Sequence, residues 1–180
     1  MATQISIPDS QATLKGIMEG LIGETCHQVD FSYGDELQLD FGEMTAYAHP
    51  KLAHLSKGSW QLSTRATEWT LRQNNKVLIS EIDNYNKAEI DPILWDLNNP
   101  EIAVLHKVQQ LQGKKMNDFI IDVNSMGLIL FFEDNYQLVL KTDLQDDSGL
   151  SYWELMLPNE QILIVGPGLS WQCKSIHDLV

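Results

Sequence analysis

Glu68-Trp69-Thr70-Leu71 and Tyr152-Trp153-Glu154-Leu155 are the two stretches whose comparison decides the architecture, and they lie 84 positions apart. Each sets a tryptophan two residues before a leucine, so that the pair shares one face of an extended strand. Working outward, Trp60-Gln61-Leu62 answers to Tyr136-Gln137-Leu138, Leu39-Asp40-Phe41 to Ile129-Leu130-Phe131, and Val29-x-Phe31 to Phe119-x-Ile121. Leu21-Ile22-Gly23 answers to Leu111-Gln112-Gly113 at a spacing of 90. The change from 90 to 84 puts connecting loops of unequal length inside the two copies, 42–58 in the first and 142–151 in the second. Self-similarity of this kind signals one supersecondary unit used twice. It speaks to architecture and not to chemistry.

Each copy opens on a helix. Residues 1–9 read as a lead-in closed by Pro8 and Asp9, and Ser10 is placed to cap a helix with Leu14, Ile17, Met18, Leu21 and Ile22 at helical spacing. Gly23 supplies a left-handed stop. In the second copy Asn99 is the cap, Pro100 takes the first helical position, and Ile102, Leu105, Val108 and Leu111 form the stripe before Gly113. Strands are expected at 27–33 and 36–41 around a Gly34-Asp35 turn, with an irregular stretch at 42–58. Further strands are expected at 60–64, 68–72 and 76–79, the last two joined by Asn74-Asn75. The second half reads as strands at 118–123, 128–132, 136–142, 151–157 and 161–165, with Pro158-Asn159-Glu160 as a turn. Gly166-Pro167-Gly168 then breaks the pattern before Trp171. Alternating strands beside one-faced helices predict an α+β fold, a pseudo-twofold pair of helix-plus-antiparallel-sheet units forming a sandwich or a partly closed barrel. The expected organisation is a single compact domain over 1–180, with repeats at about 10–80 and 99–172. The joining segment 81–98, with Tyr85, Pro92 and Trp95, is apolar enough to pack across both.

Composition narrows the function classes. At 180 residues roughly 70% of the unfolded surface can be buried, so a core forms without staples. Two cysteines, Cys26 and Cys173, make no disulfide framework, and the start Met1-Ala2-Thr3-Gln4 lacks the basic and apolar regions of a signal peptide. No run of about 18 apolar residues occurs, so a cytoplasmic, non-membrane protein is expected. The net charge of −13 repels phosphate backbones and anionic membrane surfaces, which makes nucleic acid a poor partner. An acidic surface serves solubility and also complements a basic protein.

Chemistry-bearing patterns are sparse. Asp143, Gln145, Asp147 and Glu154 match positions of a calcium loop, but Ser148 stands where that loop requires glycine, so an acidic hairpin loop is the expectation. Cys26-His27 and Cys173-x-x-x-His177 lack zinc-pair spacing, and no metal or cofactor is expected. There is no nucleophile elbow, phosphate loop or metalloprotease motif, and no catalytic residue is assigned. Trp69 and Trp153 are expected in the core. Trp60 and Trp171, beside glycine-containing turns, are candidate binding residues. His49 and His54 share a loop with Tyr47 and Lys57 and are the other candidates, while Glu81, Asp83 and Asp91 read as a solvated acidic face.

The chain also resembles a family of uncharacterised bacterial proteins with two repeated halves. The residues that carry the resemblance are Gly34-Asp35-Glu36-Leu37-x-Leu39-Asp40-Phe41-Gly42, Gly58-Ser59-Trp60-x-Leu62 and Glu68-Trp69-x-Leu71 in the first half. In the second they are Leu128-x-Leu130-Phe131-Phe132, Trp153-x-Leu155-x-x-Pro158 and Leu163-x-Val165-Gly166-Pro167-Gly168-x-x-Trp171, so that about 21–171 is covered. The resemblance implies a shared fold and no activity. The reading that fits best is a non-enzymatic cytoplasmic protein that binds a protein partner, of which an inhibitor or immunity-type protein covering a basic surface is one kind. Two alternatives stand beside it: a small-molecule binder with a pocket between the repeats, bounded by Trp60, Trp171 and 42–58, and an enzyme using the His49/His54 loop. Oligomeric state is left open.

Overall fold

Hydrophobic alternation becomes sheet in the computed structural model, which describes residues 7–32, 36–81 and 100–179, with the backbone alone at 7–12 and 100–103. The elements run α1 (Ile7–Glu19), β1 (Cys26–Phe31), β2 (Leu37–Ala46), β3 (Ser56–Thr64), β4 (Thr67–Gln73) and β5 (Lys76–Ser80). They continue as α2 (Pro100–Val108), β6 (Met116–Asp122), β7 (Gly127–Phe132), β8 (Tyr136–Thr142), β9 (Trp153–Met156), β10 (Gln161–Val165) and β11 (Trp171–Ser175). Every pairing is antiparallel. One sheet has the order β1-β2-β3-β9-β10-β11 and the other β5-β4-β8-β7-β6.

Neither sheet is built from consecutive strands alone. After Thr64 the chain crosses from the six-stranded to the five-stranded sheet in two residues, and the loop after β8 carries it back. The crossings meet: Arg65 N–H donates to Tyr152 O at 2.9 Å and Ala66 N–H to Ser151 O at 3.0 Å. Between the sheets lies one buried apolar cluster that includes Leu39 and Leu62 of the first, Leu71, Leu130 and Leu138 of the second, and Leu14, Met18, Val104 and Val108 of the helices. Aromatic contacts bridge it, with Phe41 stacked on Phe132 at 6.1 Å and Phe31 tilted against Trp69 at 6.3 Å. Trp69 and Trp153 are fully buried. The Trp153 indole N–H is satisfied inside the core by Met126 O at 2.9 Å, which fastens the six-stranded sheet to the β6–β7 turn.

Several boundaries differ from the sequence reading. Helix α1 begins at Ile7, so Ser10 lies inside it and not at its cap; Pro8 is tolerated there because first-turn amides have no intrahelical partner. The helix ends at Glu19, the chain has turned before Ile22, and that side chain is 41% exposed and not part of the stripe. Helix α2 begins at Pro100 as expected, whereas Asn99, Gly34-Asp35 and the joining segment 82–98 lie outside the described residues. The irregular stretch expected at 42–58 is confined to 47–55, since β2 continues to Ala46 and β3 starts at Ser56. A register shift between Phe41 and Met44, with Gly42 at φ +77°, lets the strand bend and resume pairing. The buried Asp40 side chain stabilises that bend, its Oδ1 accepting from Gly58 N–H at 2.9 Å and from Gln61 Nε2 at 2.7 Å. Beyond Gly166-Pro167-Gly168 the chain forms β11, which the turn residues had hidden.

Candidate functional site

The four binding candidates do not converge. Trp60 is partly buried against the core, where a methyl group added at Gly20 would come within 2.8 Å of its ring. Trp171 is also partly buried, and its indole nitrogen has no hydrogen-bond partner among the described residues. Their strands, β3 and β11, are three places apart in the sheet, about 14 Å at ordinary strand spacing. His49 and His54 lie in the exposed loop between β2 and β3. His49 Nδ1 is engaged in capping, accepting from Lys51 N–H at 3.1 Å ahead of the turn Pro50–Leu52. Lys57 sits 5.4 Å over the ring of Tyr47.

Three open clefts of about 310 to 510 Å³ are formed by described residues, and neither tryptophan lines them. The largest is flanked by Arg65, Glu68, Glu81, Lys141 and Asp143, with Arg65 held between Glu36 at 3.7 Å and Glu154 at 3.5 Å. The second is lined by amides, among them Asn74, Asn75, Asn117 and Asn135. The third lies beside Glu43, Lys57, Gln61 and Glu160. Among the described residues no three His, Cys, Asp or Glu side chains gather as a metal site. In the 143–150 loop the acidic residues turn on the loop itself, Asp143 accepting from Gln145 N–H at 2.9 Å and Asp146 from Ser148 Oγ at 2.5 Å. Cys26 is fully buried, and burial first and the neighbouring Asp40 second push its thiol up to about 12, which keeps it protonated and unreactive at neutral pH. Burial also raises Cys173.

The most distinctive surface is the outer face of the five-stranded sheet. Register places Ile120, Ile129, Val139, Thr70 and Ser80 in one row across all five strands. Ile129 and Val139 alternate with Leu128, Leu130, Leu138 and Leu140, which are buried, so their side chains point away from the core. Ile120 is 52% exposed, and Phe131 lies beside Ile129 on the same face. The corresponding row on the outer face of the six-stranded sheet reads Asp30, Gln38, Ser63, Glu154, Ile164 and Gln172. The row on the five-stranded sheet is therefore apolar across β6, β7 and β8, where the matching positions of the other sheet are polar. Asp118 and Asp122 stand at the β6 end of the apolar face, and Val123, Leu144 and Leu150 in the adjoining turn and loop are each 45% exposed or more. Sequence reasoning missed this surface because apolar residues on both sides of β7 look like core; the signal available was the unbroken run Leu128-Ile129-Leu130-Phe131-Phe132 in a sheet expected to have one covered side.

Comparison of the chain with protein-family models, with curated proteins and with solved structures returns no match. Among the described residues, no helix is long and apolar enough to cross a membrane.

Proposed function

We propose that the chain is an internal duplication whose copies exchange their last strands, and that it acts in the cytoplasm without catalysis, by binding a basic protein on the apolar outer face. The strand order supports the duplication: β1-β2-β3-β9-β10 becomes β6-β7-β8-β4-β5 when each strand is replaced by its counterpart in the other half. The hydrogen bonds at the junction support it too. Gly23 N–H donates to Met116 O and Gly113 N–H to Cys26 O, both at 2.7 Å; Cys26 N–H donates to Lys114 O at 2.9 Å and Met116 N–H to Glu24 O at 3.0 Å. These pairs are related about the Thr25–Lys115 bridge, as a twofold axis requires. Cys26 opposes Phe41 and Met116 opposes Phe132, so the counterpart of Leu39-Asp40-Phe41 is Leu130-Phe131-Phe132, one residue beyond the string match. A slip of one would have reversed the faces.

Protein binding rests on one observation, the outward-facing row Ile120–Ile129–Val139, which no described element covers, with Ile120 exposed and Ile129 and Val139 half-buried, where the corresponding positions Asp30, Gln38 and Ser63 are polar. A contiguous run of outward-facing apolar side chains across neighbouring strands, unlike single exposed ones, marks an interaction site. A basic partner is the complement of a chain with 25 acidic and 12 basic residues. The charge argues against a second copy and against nucleic acid. An inhibitor or immunity-type role fits this chemistry. The test is photo-cross-linking in cells with a benzophenone residue at position 129 and, separately, at position 38. Adducts at 129 with a protein of isoelectric point above about 9, absent at 38, are expected. Equal adducts at both positions, no adduct, or an adduct only within the chain itself overturns the reading.

A further inference from the structure

We infer that the element of the partner seated on this face is an amphipathic α-helix with a basic flank, lying along β7; the inference rests on the protein-binding reading above. The apolar surface is centred on β7, where Ile129 and Phe131 are two residues and about 7 Å apart along the strand. Ile120 on β6 and Val139 on β8 flank Ile129 at one strand spacing on either side, so the patch is about 10 Å wide. That width is the footprint of one helix, whose own diameter with side chains is about 10 to 12 Å. An amphipathic stripe repeating every three to four residues supplies the matching line of apolar contacts, and a helix laid on an open sheet face completes a layer as it does elsewhere in packed domains. Neither helix among the described residues does so, since the buried side chains of α1 and α2, Leu14, Met18, Val104 and Val108, enter the common core between the sheets.

Charge sets the flank. Asp118 and Asp122 lie on the same outer face of β6, four residues and about 13 Å apart, which spans roughly two turns of a helix running beside them. Both are exposed, and neither has an ion-pair partner among the described residues. Lysine or arginine seven or eight residues apart on one side of the partner helix, about 11–12 Å along its axis, meets them within the reach of their long side chains. On the opposite side of β7 stand Gln137 and Lys141, which do not call for a basic residue.

The test titrates the full chain with three synthetic 18-residue peptides: a leucine/lysine amphipathic helix, its leucine/glutamate counterpart, and the leucine/lysine peptide interrupted by two prolines. Affinities are read by calorimetry at physiological salt, and contacts by amide exchange. The helical lysine peptide is expected to bind at least tenfold more tightly than either control, to protect β6 to β8, and to lose at least tenfold with Ile129→Glu and at least threefold with the Asp118→Asn/Asp122→Asn pair. Gln38→Glu, on the polar face, is expected to change nothing, and melting curves confirm that each variant is folded. Binding of the proline-interrupted peptide as tightly as the helical one, binding that survives Ile129→Glu in a folded variant, or protection elsewhere overturns the helix. Cross-linking at position 129 to an extended segment of a partner overturns the helix while leaving protein binding intact; the absence of any adduct overturns both.

Discussion

Replacing Asp40 with alanine removes the single oxygen that holds the bend in β2. Its Oδ1 accepts from Gly58 N–H at 2.9 Å and Gln61 Nε2 at 2.7 Å, and Asp40 is 1% exposed while Gln61 is 8% exposed. Each buried donor left unpaired costs about 1–3 kcal/mol. The Gln61 amide can turn towards the neighbouring cleft it lines, whereas the Gly58 amide is fixed by the strand. Removing a buried carboxylate also relieves its own desolvation, which offsets part of the loss. The net destabilisation is expected at about 2–4 kcal/mol, a fall in melting temperature of roughly 4–16 °C for a chain of this size. Asp40→Asn keeps an acceptor at Oδ1 and loses only the charge-assisted share, about 1 kcal/mol. Urea unfolding followed by tryptophan fluorescence measures both variants. An alanine variant within about 0.5 kcal/mol of the parent, or an asparagine variant as unstable as the alanine one, refutes the account of Asp40 as the acceptor that secures the bend.

Gly58→Ala acts on the same bend from the other strand: the new methyl would lie 2.5 Å from Phe41 O and 2.6 Å from Phe41 N, both backbone atoms, so at least about 2 kcal/mol is lost and soluble expression drops. Above pH 9 stability is expected to fall, because the folded Cys26 thiol holds its proton until about pH 12 while the unfolded one releases it near 9. The slope is about 1.4 kcal/mol per pH unit in that window, and a Cys26→Ala variant, less stable overall, should show a slope shallower by that amount; identical slopes would disprove the assignment. If the copies exchange strands, cutting an inserted protease site between residues 82 and 99 leaves the two pieces co-eluting after gel filtration in the absence of denaturant. Separation of the pieces would refute the exchange, because β4-β5 and β9-β10 each sit in a sheet with strands of the other piece.

Much of the fold was legible in the sequence because it depends on local chemistry. The asparagines at 74 and 75 adopt φ of 51° and 65°, as a tight hairpin between β4 and β5 needs, and that turn was readable from the residue type alone. Gly23 and Gly113 stop the two helical regions with φ near +90° for the same reason. Strand β8 fell where alternation put it. What escaped depends on partners far along the chain. Gly42 looked like a strand end, yet a buried carboxylate and a glycine 16 residues later let the strand continue past it. The binding candidates were chosen by residue type, and nothing local says that Trp60 packs under Gly20 while Ile129 faces outward.

The sequence by itself determined the regions of helix, the Asn74-Asn75 turn, most of the strands and the acidic charge, each of which follows from a residue and its near neighbours. Only the tertiary structure decided which sheet each strand joins. The two-residue crossing at 65–66 sends β4 and β5 away from β3 to pair with β8, a choice settled by burying both apolar faces in one core. That same choice decides which side of β7 meets the core and which faces away from it. The apolar row that carries the functional proposal is therefore a property of strand pairing, and no window of sequence contains it.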